Sequence, residues 1–130
     1  HVTIDGADER VRLIGINTPE TVDPRKEVQC FGKEASARMK ELAEGKHVRL
    51  EYDDSQGMRD AYGRLLAYVY LEDGQMINRK MVAEGYAYEY TYMAPYLYRD
   101  EFRQLQTLAR TSKRGLWSES TCNGSTSFLN

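Results

Sequence analysis

The chain has 130 residues, 41% of them hydrophobic and 29% charged, with a formal net charge of −2. This is the size and composition of one soluble globular domain with a core of its own, and no apolar run approaches the roughly 18 residues of a membrane span. A slightly acidic balance, with a pI near 5.7, excludes a protein that grips nucleic acid by bulk positive charge, leaving a local anion site with a bound cation as the route to such a ligand. No signal-peptide pattern is present, but His1 opens inside a strand-like run, so further sequence is expected upstream.

In chain order, residues 1–4 and 9–16 read as two β-prone runs around Asp5-Gly6-Ala7-Asp8, a hairpin signal. Along the second run Arg12 shares a side with Ile14 and Ile16, so it needs a partner there. The run empties into Asn17-Thr18-Pro19-Glu20, where the proline ends the strand. Residues 17–31 are aperiodic and rich in Pro, Thr and charge, the composition of a binding loop. Apolar Ala35, Met39, Leu42 and Ala43 then recur at helical spacing before Gly45. Residues 48–52 alternate as a half-buried strand, with His47 facing solvent; His1 and His47 lack the spacing of a zinc site. Residues 62–71 are predicted as a long strand with Arg64 in an otherwise apolar row. A turn at Asp73-Gly74 leads to a short strand at 75–77, a helix capped by Asn78 and ended by Gly85, and an aromatic strand-like stretch over 86–92. Pro95 is expected to open a last helix with a buried stripe of Phe102, Leu105, Leu108 and Ala109, stopped by Gly115, with Trp117 packing back as an anchor. Together these elements predict an α+β, mainly β fold with four legible strands, compatible with a partly open five-stranded oligonucleotide-binding (OB) barrel. The domain is expected to span residues 1–117, with 118–130 as a Ser-, Thr-, Asn- and Gly-rich tail.

Two arginines in matching strand contexts, Arg12 and Arg64, are each costly to bury without an anion, and one phosphate satisfies both. Guanidinium donors match phosphate oxygens and stabilise the extra charge of a five-coordinate transition state. The alternative is that each reaches water or a structural carboxylate. Glu20 is a candidate general base, the alternative being a solvated loop residue, and Asn17 with the Thr18 carbonyl offers oxygen ligands of the type hard cations take. Of the 10 tyrosines, Tyr62, Tyr90 and Tyr92 are candidates to stack on bases or bond phosphate, against the alternative of ordinary packing. Cys30 and Cys122 are either a long-range disulfide or two thiols.

Residues 12–21 (RLIGINTPET), 31–36 (FGKEAS), 60–70 (DAYGRLLAYVY) and 116–118 (LWS) resemble, in order, the successive signatures of the staphylococcal nuclease (thermonuclease) family. The resemblance implies an OB-fold barrel with three helices and a calcium-dependent endonuclease that cleaves single-stranded DNA or RNA at the bond to the 5′ oxygen, leaving 3′-phosphate ends. Position by position, it makes Arg12 and Arg64 the phosphate-clamping arginines, Glu20 the catalytic glutamate, Tyr62 a phosphate contact, and Tyr90 and Tyr92 the nucleotide-stacking pair. It further implies a secreted or surface-exposed protein, a Cys30–Cys122 disulfide and a monomer.

Two departures stand out. The family's Asp-Thr-Pro-Glu is here Asn17-Thr18-Pro19-Glu20, which replaces a calcium-ligating carboxylate by a neutral amide and weakens a hard-cation site. The family's first strand, with its Asp-Gly-Asp-Thr segment, has no match in residues 1–130, the alternatives being that it is cut off, disordered or supplied by another chain. The runner-up reading is therefore a non-catalytic OB module that binds nucleic acid.

Overall fold

The computed structural model describes residues 2–4, 6–18 and 31–118. A hairpin of β1 (Val2–Ile4) and β2 (Ala7–Glu9) comes first, its register pairing Ile4 with Ala7. Ala7 and Asp8, expected in the turn, thus belong to the strand, because Gly6 at φ 81° completes the reversal immediately after Ile4. The expected strand over 9–16 is three pieces: the end of β2, then β3 (Val11–Leu13), then β4 (Ile16–Asn17) beyond a turn at Ile14-Gly15. Gly15 carries φ 83°, and a Cβ there would lie 2.5 Å from the Tyr96 ring and 2.9 Å from Phe102, so only glycine lets the chain turn against these rings.

Helix α1 (Gly32–Ala43) buries Ala35 and Leu42, as its spacing predicts, and leads to β5 (Val48–Glu51). Strand β6 (Leu65–Leu71) is central: β5 runs antiparallel to it and β3 runs parallel, Arg12 opposite Leu66. The sheet is thus mixed, the long connection through α1 and β5 bringing β6 back in the direction of β3. Residues 62–64 are not in the strand as predicted but in a turn held by Asp60. Helix α2 (Ile77–Ala83) and β7 (Tyr88–Glu89) follow, β7 antiparallel to β4. The short strand expected at 75–77 shrinks to one bridge, Tyr70 with Met76, and the aromatic run over 86–92 forms ladder only at Tyr88 and Glu89.

Helix α3 (Arg99–Thr111) begins four residues after Pro95, not at it. Asp100 and Glu101 occupy its first turn, where the helix dipole favours acids, and Tyr96 is drawn into the core instead. Its buried face is Phe102 and Ala109 with Leu105 partly covered; Leu108 is 61% exposed because it falls at the edge of that stripe. The helix ends at Thr111, and Gly115 starts a single 3-10 turn, Gly115–Trp117, that buries Trp117 as an anchor. Seven strands and three α-helices among the described residues make the predicted α+β, OB-like fold, its strands joined in three small sheets.

The expected helix cap Asn78 does something else. It is fully buried one residue inside α2, its Oδ1 accepting from the Val69 N–H at 2.9 Å and its Nδ2 donating to the Ile14 carbonyl at 2.9 Å and the Ala67 carbonyl at 3.3 Å. It joins α2 to the place where β3 leaves β6, amid Ile77, Met81, Val82 and Phe102. Replacing Asn78 by Ala strands these buried groups; unfolding in urea should show a loss of roughly 3 to 5 kcal/mol at unchanged m-value.

Candidate active site

A cleft of about 790 Å³ opens between the 60–64 turn, β3 and the segment after β7. Arg12, Asn17, Asp60, Tyr62, Arg64, Tyr90, Tyr92 and Met93 all line it, so most of the predicted site residues are brought together. Thr18 is described but is not among the lining residues. Glu20, Cys30 and Cys122 lie outside the described residues, and so do the loop around Glu20 and the proposed tail. A smaller depression of about 480 Å³ on α3, lined by Arg103, Gln104, Thr107 and Leu108, gathers no comparable set of groups.

Arg12 is half-buried on β3, and its Nη1 donates to the Leu13 and Ile16 carbonyls at 2.9 and 2.7 Å. These carbonyls are available because the chain turns at Ile14-Gly15, so the turn that breaks the predicted strand also fixes the arginine. Burial, and next the neighbouring Arg64 cation, hold the Arg12 guanidinium below the usual arginine range, against opposing pulls from Tyr90, Tyr88 and Asp60. It stays charged at any physiological pH, but two cations repelling one another in a partly desolvated cleft form a site that an anion relieves.

Arg64 enters from the hairpin tip before β6. Its Nε donates to Asp60 Oδ2 at 2.6 Å, while Asp60 Oδ1 accepts from the backbone N–H groups of Tyr62 and Arg64, both at 2.9 Å. The structural-carboxylate alternative therefore holds for Arg64, yet the residue still lines the cleft. Burial pushes the Asp60 carboxyl up, but the hydrogen bonds from Arg64 and Tyr62 outweigh it and leave it below the ordinary aspartate value. Each arginine lies over its own tyrosine, Arg12 at 6.0 Å from the Tyr90 ring centre and Arg64 at 5.6 Å from that of Tyr62. Tyr62 and Tyr92 are 74% and 63% exposed, so their faces are presented to solvent rather than packed.

The far lip of the cleft is held by residues without an assigned role in the sequence reading. Gly15 accepts at its carbonyl from the Tyr90 N–H at 2.8 Å, and the Tyr96 hydroxyl donates to Glu89 Oε2 at 2.8 Å. Asp53 Oδ2 accepts from the Leu97 N–H at 2.9 Å and the Tyr68 hydroxyl at 2.7 Å, and Gln56 donates to the Ala94 carbonyl at 2.9 Å. Asp60 had a visible signal, an Asx-type turn residue ahead of Gly63. Asp53 and Tyr96 had none, since their partners are distant in sequence.

Asn17 Oδ1 accepts from the Thr18 N–H at 3.1 Å, which ties the amide to its own backbone. Among the described residues no group of three His, Cys, Asp or Glu side chains converges. The described residues therefore do not make up the calcium site that the resemblance implies.

Residues 10–119 match the family model described as Staphylococcal nuclease homologue. The chain belongs to the staphylococcal nuclease family. Among its relatives, the thermonuclease of Staphylococcus hyicus is 43% identical over 114 residues, 88% of this chain and 66% of that protein. The thermonuclease of Staphylococcus intermedius is 46% identical over 113 residues, 87% of this chain and 66% of the relative. Endonuclease YncB of Bacillus subtilis (strain 168) is 40% identical over 120 residues, 92% of this chain and 56% of the relative. The chain thus spans less than two thirds of the length of these relatives. Within this staphylococcal nuclease homologue, Arg12, Glu20, Tyr62, Arg64, Tyr90 and Tyr92 all fall inside the matched region, and Cys122 falls beyond it. No described helix is long and apolar enough to cross a membrane.

The lip has a pH signature. Burial raises the Asp53 carboxyl, but hydrogen bonds from the Leu97 N–H, Ser55 and Tyr68 more than offset it and leave it below the ordinary 3.8. A depressed folded-state value contributes stability above the unfolded value and loses it as pH falls through the folded one. Asp53→Asn should lower Tm near neutrality and flatten the fall in Tm on acidification below about pH 4, read by calorimetry across a pH series.

Proposed function

We propose that this chain carries the catalytic region of an endonuclease that hydrolyses phosphodiester bonds of DNA and RNA. The observation that carries the reading is the convergence of Arg12 and Arg64, from separate elements, on one cleft in which the Arg64 cation bears on the partly desolvated Arg12 guanidinium. Family membership and the thermonuclease and endonuclease names of its relatives support it.

A phosphodiester bound between the two guanidiniums gains one more unit of negative charge at phosphorus as water adds. Donors already fixed by carbonyls and by Asp60 stabilise that charge more than the ground state, which is where catalysis arises. In the proposal Glu20 removes the proton of the attacking water, the water oxygen bonds to phosphorus, the bond to the 5′ oxygen breaks, and that oxygen takes a proton from solvent as it leaves. The products are a 3′-phosphate end and a 5′-hydroxyl. Tyr62 meets the phosphate, and Tyr90 with Tyr92 offers ring faces to bases of single-stranded substrate. Calcium dependence, with Asn17 and Thr18 as the contributors here, belongs to the proposal through the family resemblance. Export, a Cys30–Cys122 disulfide of roughly 4 kcal/mol by the chain-entropy model, a monomeric state and a domain over 1–117 with a tail at 118–130 complete it.

A second reading, a nucleic-acid-binding module without cleavage, is favoured by the amide at Asn17 and its engagement with Thr18. Incubating end-labelled single-stranded DNA with the protein in Ca²⁺ or in EDTA separates the two. The nuclease reading expects cleavage that requires Ca²⁺, falls roughly 10² to 10⁴-fold in Glu20→Gln and in Arg64→Lys, and rises in Asn17→Asp. Tight binding with no cleavage in either condition supports the module.

A further inference from the structure

We infer that Asp60 is a positioning residue that selects which edge of the Arg64 guanidinium faces a phosphodiester; this rests on the nuclease reading above. Asp60 divides its carboxylate between two tasks. Oδ1 takes the backbone N–H groups of Tyr62 and Arg64, which shapes the turn, and Oδ2 takes the Arg64 Nε–H at 2.6 Å, which orients the side chain. The backbone closes the same loop: the Asp60 N–H donates to the Arg64 carbonyl at 2.9 Å and the Gly63 N–H to the Asp60 carbonyl at 3.1 Å. Arg64 is thus tied to one residue through its amide, its carbonyl and its side chain.

A guanidinium can meet an oxyanion side-on, through Nε and a terminal nitrogen, or end-on, through both terminal nitrogens. With Nε held by Asp60, the end-on edge is the one presented to the cleft. The Asp60 side chain is 14% exposed and that of Arg64 35%, so the pair is only partly screened by water. A carboxylate beside the cation weakens its attraction for a ground-state phosphate. Its presence on the cleft wall is therefore explained by orientation rather than by affinity, and its charge reaches Arg12 as well as Arg64.

Asp60→Asn separates the two tasks. The amide keeps an oxygen for the turn N–H groups but sets an NH₂ against the Arg64 Nε–H. On a single-stranded DNA oligomer, D60N should lose roughly 10 to 100-fold in kcat with KM within about threefold of wild type. In an Arg64→Ala background D60N should add no further loss, because the group it positions is gone. In wild type the Arg64 Nε–H resonance should exchange slowly with solvent, and D60N should abolish that protection. Wild-type kcat in D60N, a loss that multiplies undiminished on Arg64→Ala, or an unprotected Arg64 Nε–H in wild type each overturns the inference while the nuclease reading stands. The last measurement needs no variant to fold. Absence of cleavage by wild type overturns the nuclease reading and takes the inference with it.

Discussion

The structure depends on one buried amide. Where β3 stops and the chain turns at Ile14-Gly15, the Ile14 carbonyl and the Val69 N–H are left inside an apolar core, and buried peptide groups without partners are among the costliest features a fold can carry. Asn78 supplies an acceptor to one and a donor to the other, and it does so from α2, whose Ile77, Met81 and Val82 are packed into the same core. The sheet can therefore end early on one strand. That early ending releases the Leu13 and Ile16 carbonyls to hold Arg12 and the Gly15 carbonyl to hold Tyr90.

The two walls of the cleft are stiffened independently. On one, Arg12 is fixed by main-chain carbonyls; on the other, Arg64 is fixed by a carboxylate that also folds its turn. Neither arrangement asks the guanidinium to reorganise when charge develops on a bound group, the condition under which electrostatic stabilisation is most effective. The lip that carries Tyr90 and Tyr92 is attached through Tyr96, Glu89 and Asp53, whose partners come from α3, β6 and the 53–57 turn. The exposed ring faces thus stand on a supported edge even though the rings themselves are open to solvent.

Much of this was legible in the sequence, for identifiable reasons. Helix α1 and the central strand β6 follow from periodicity, since both bury the residues their spacing marks. The apolar row expected around the arginines holds for Arg12 on β3, whereas Arg64 stands in the turn ahead of β6, paired with Asp60, and meets Arg12 only in the cleft. The strand predictions erred where a polar side chain takes over backbone pairing: Asp60 bends residues 62–64 out of the strand, and Asn78, read as a cap, works inside the core. Pro95 misled because the segment after it is committed to burying Tyr96 and to meeting Asp53, and the helix waits for Asp100 and Glu101.

By itself the sequence determined the family and the α+β class, and it marked most of the residues that line the cleft, because spacing, turn chemistry and motif order are local properties. Only the tertiary structure decided that β3 and β6 run parallel, that the arginine walls meet in one cleft, that Arg64 reaches it already paired with Asp60, and that the Asn17 amide is spent on Thr18. Those outcomes are set by hydrogen-bond partners and packing that the order of residues along the chain does not announce, above all by where Asn78 finds Ile14, 64 positions away.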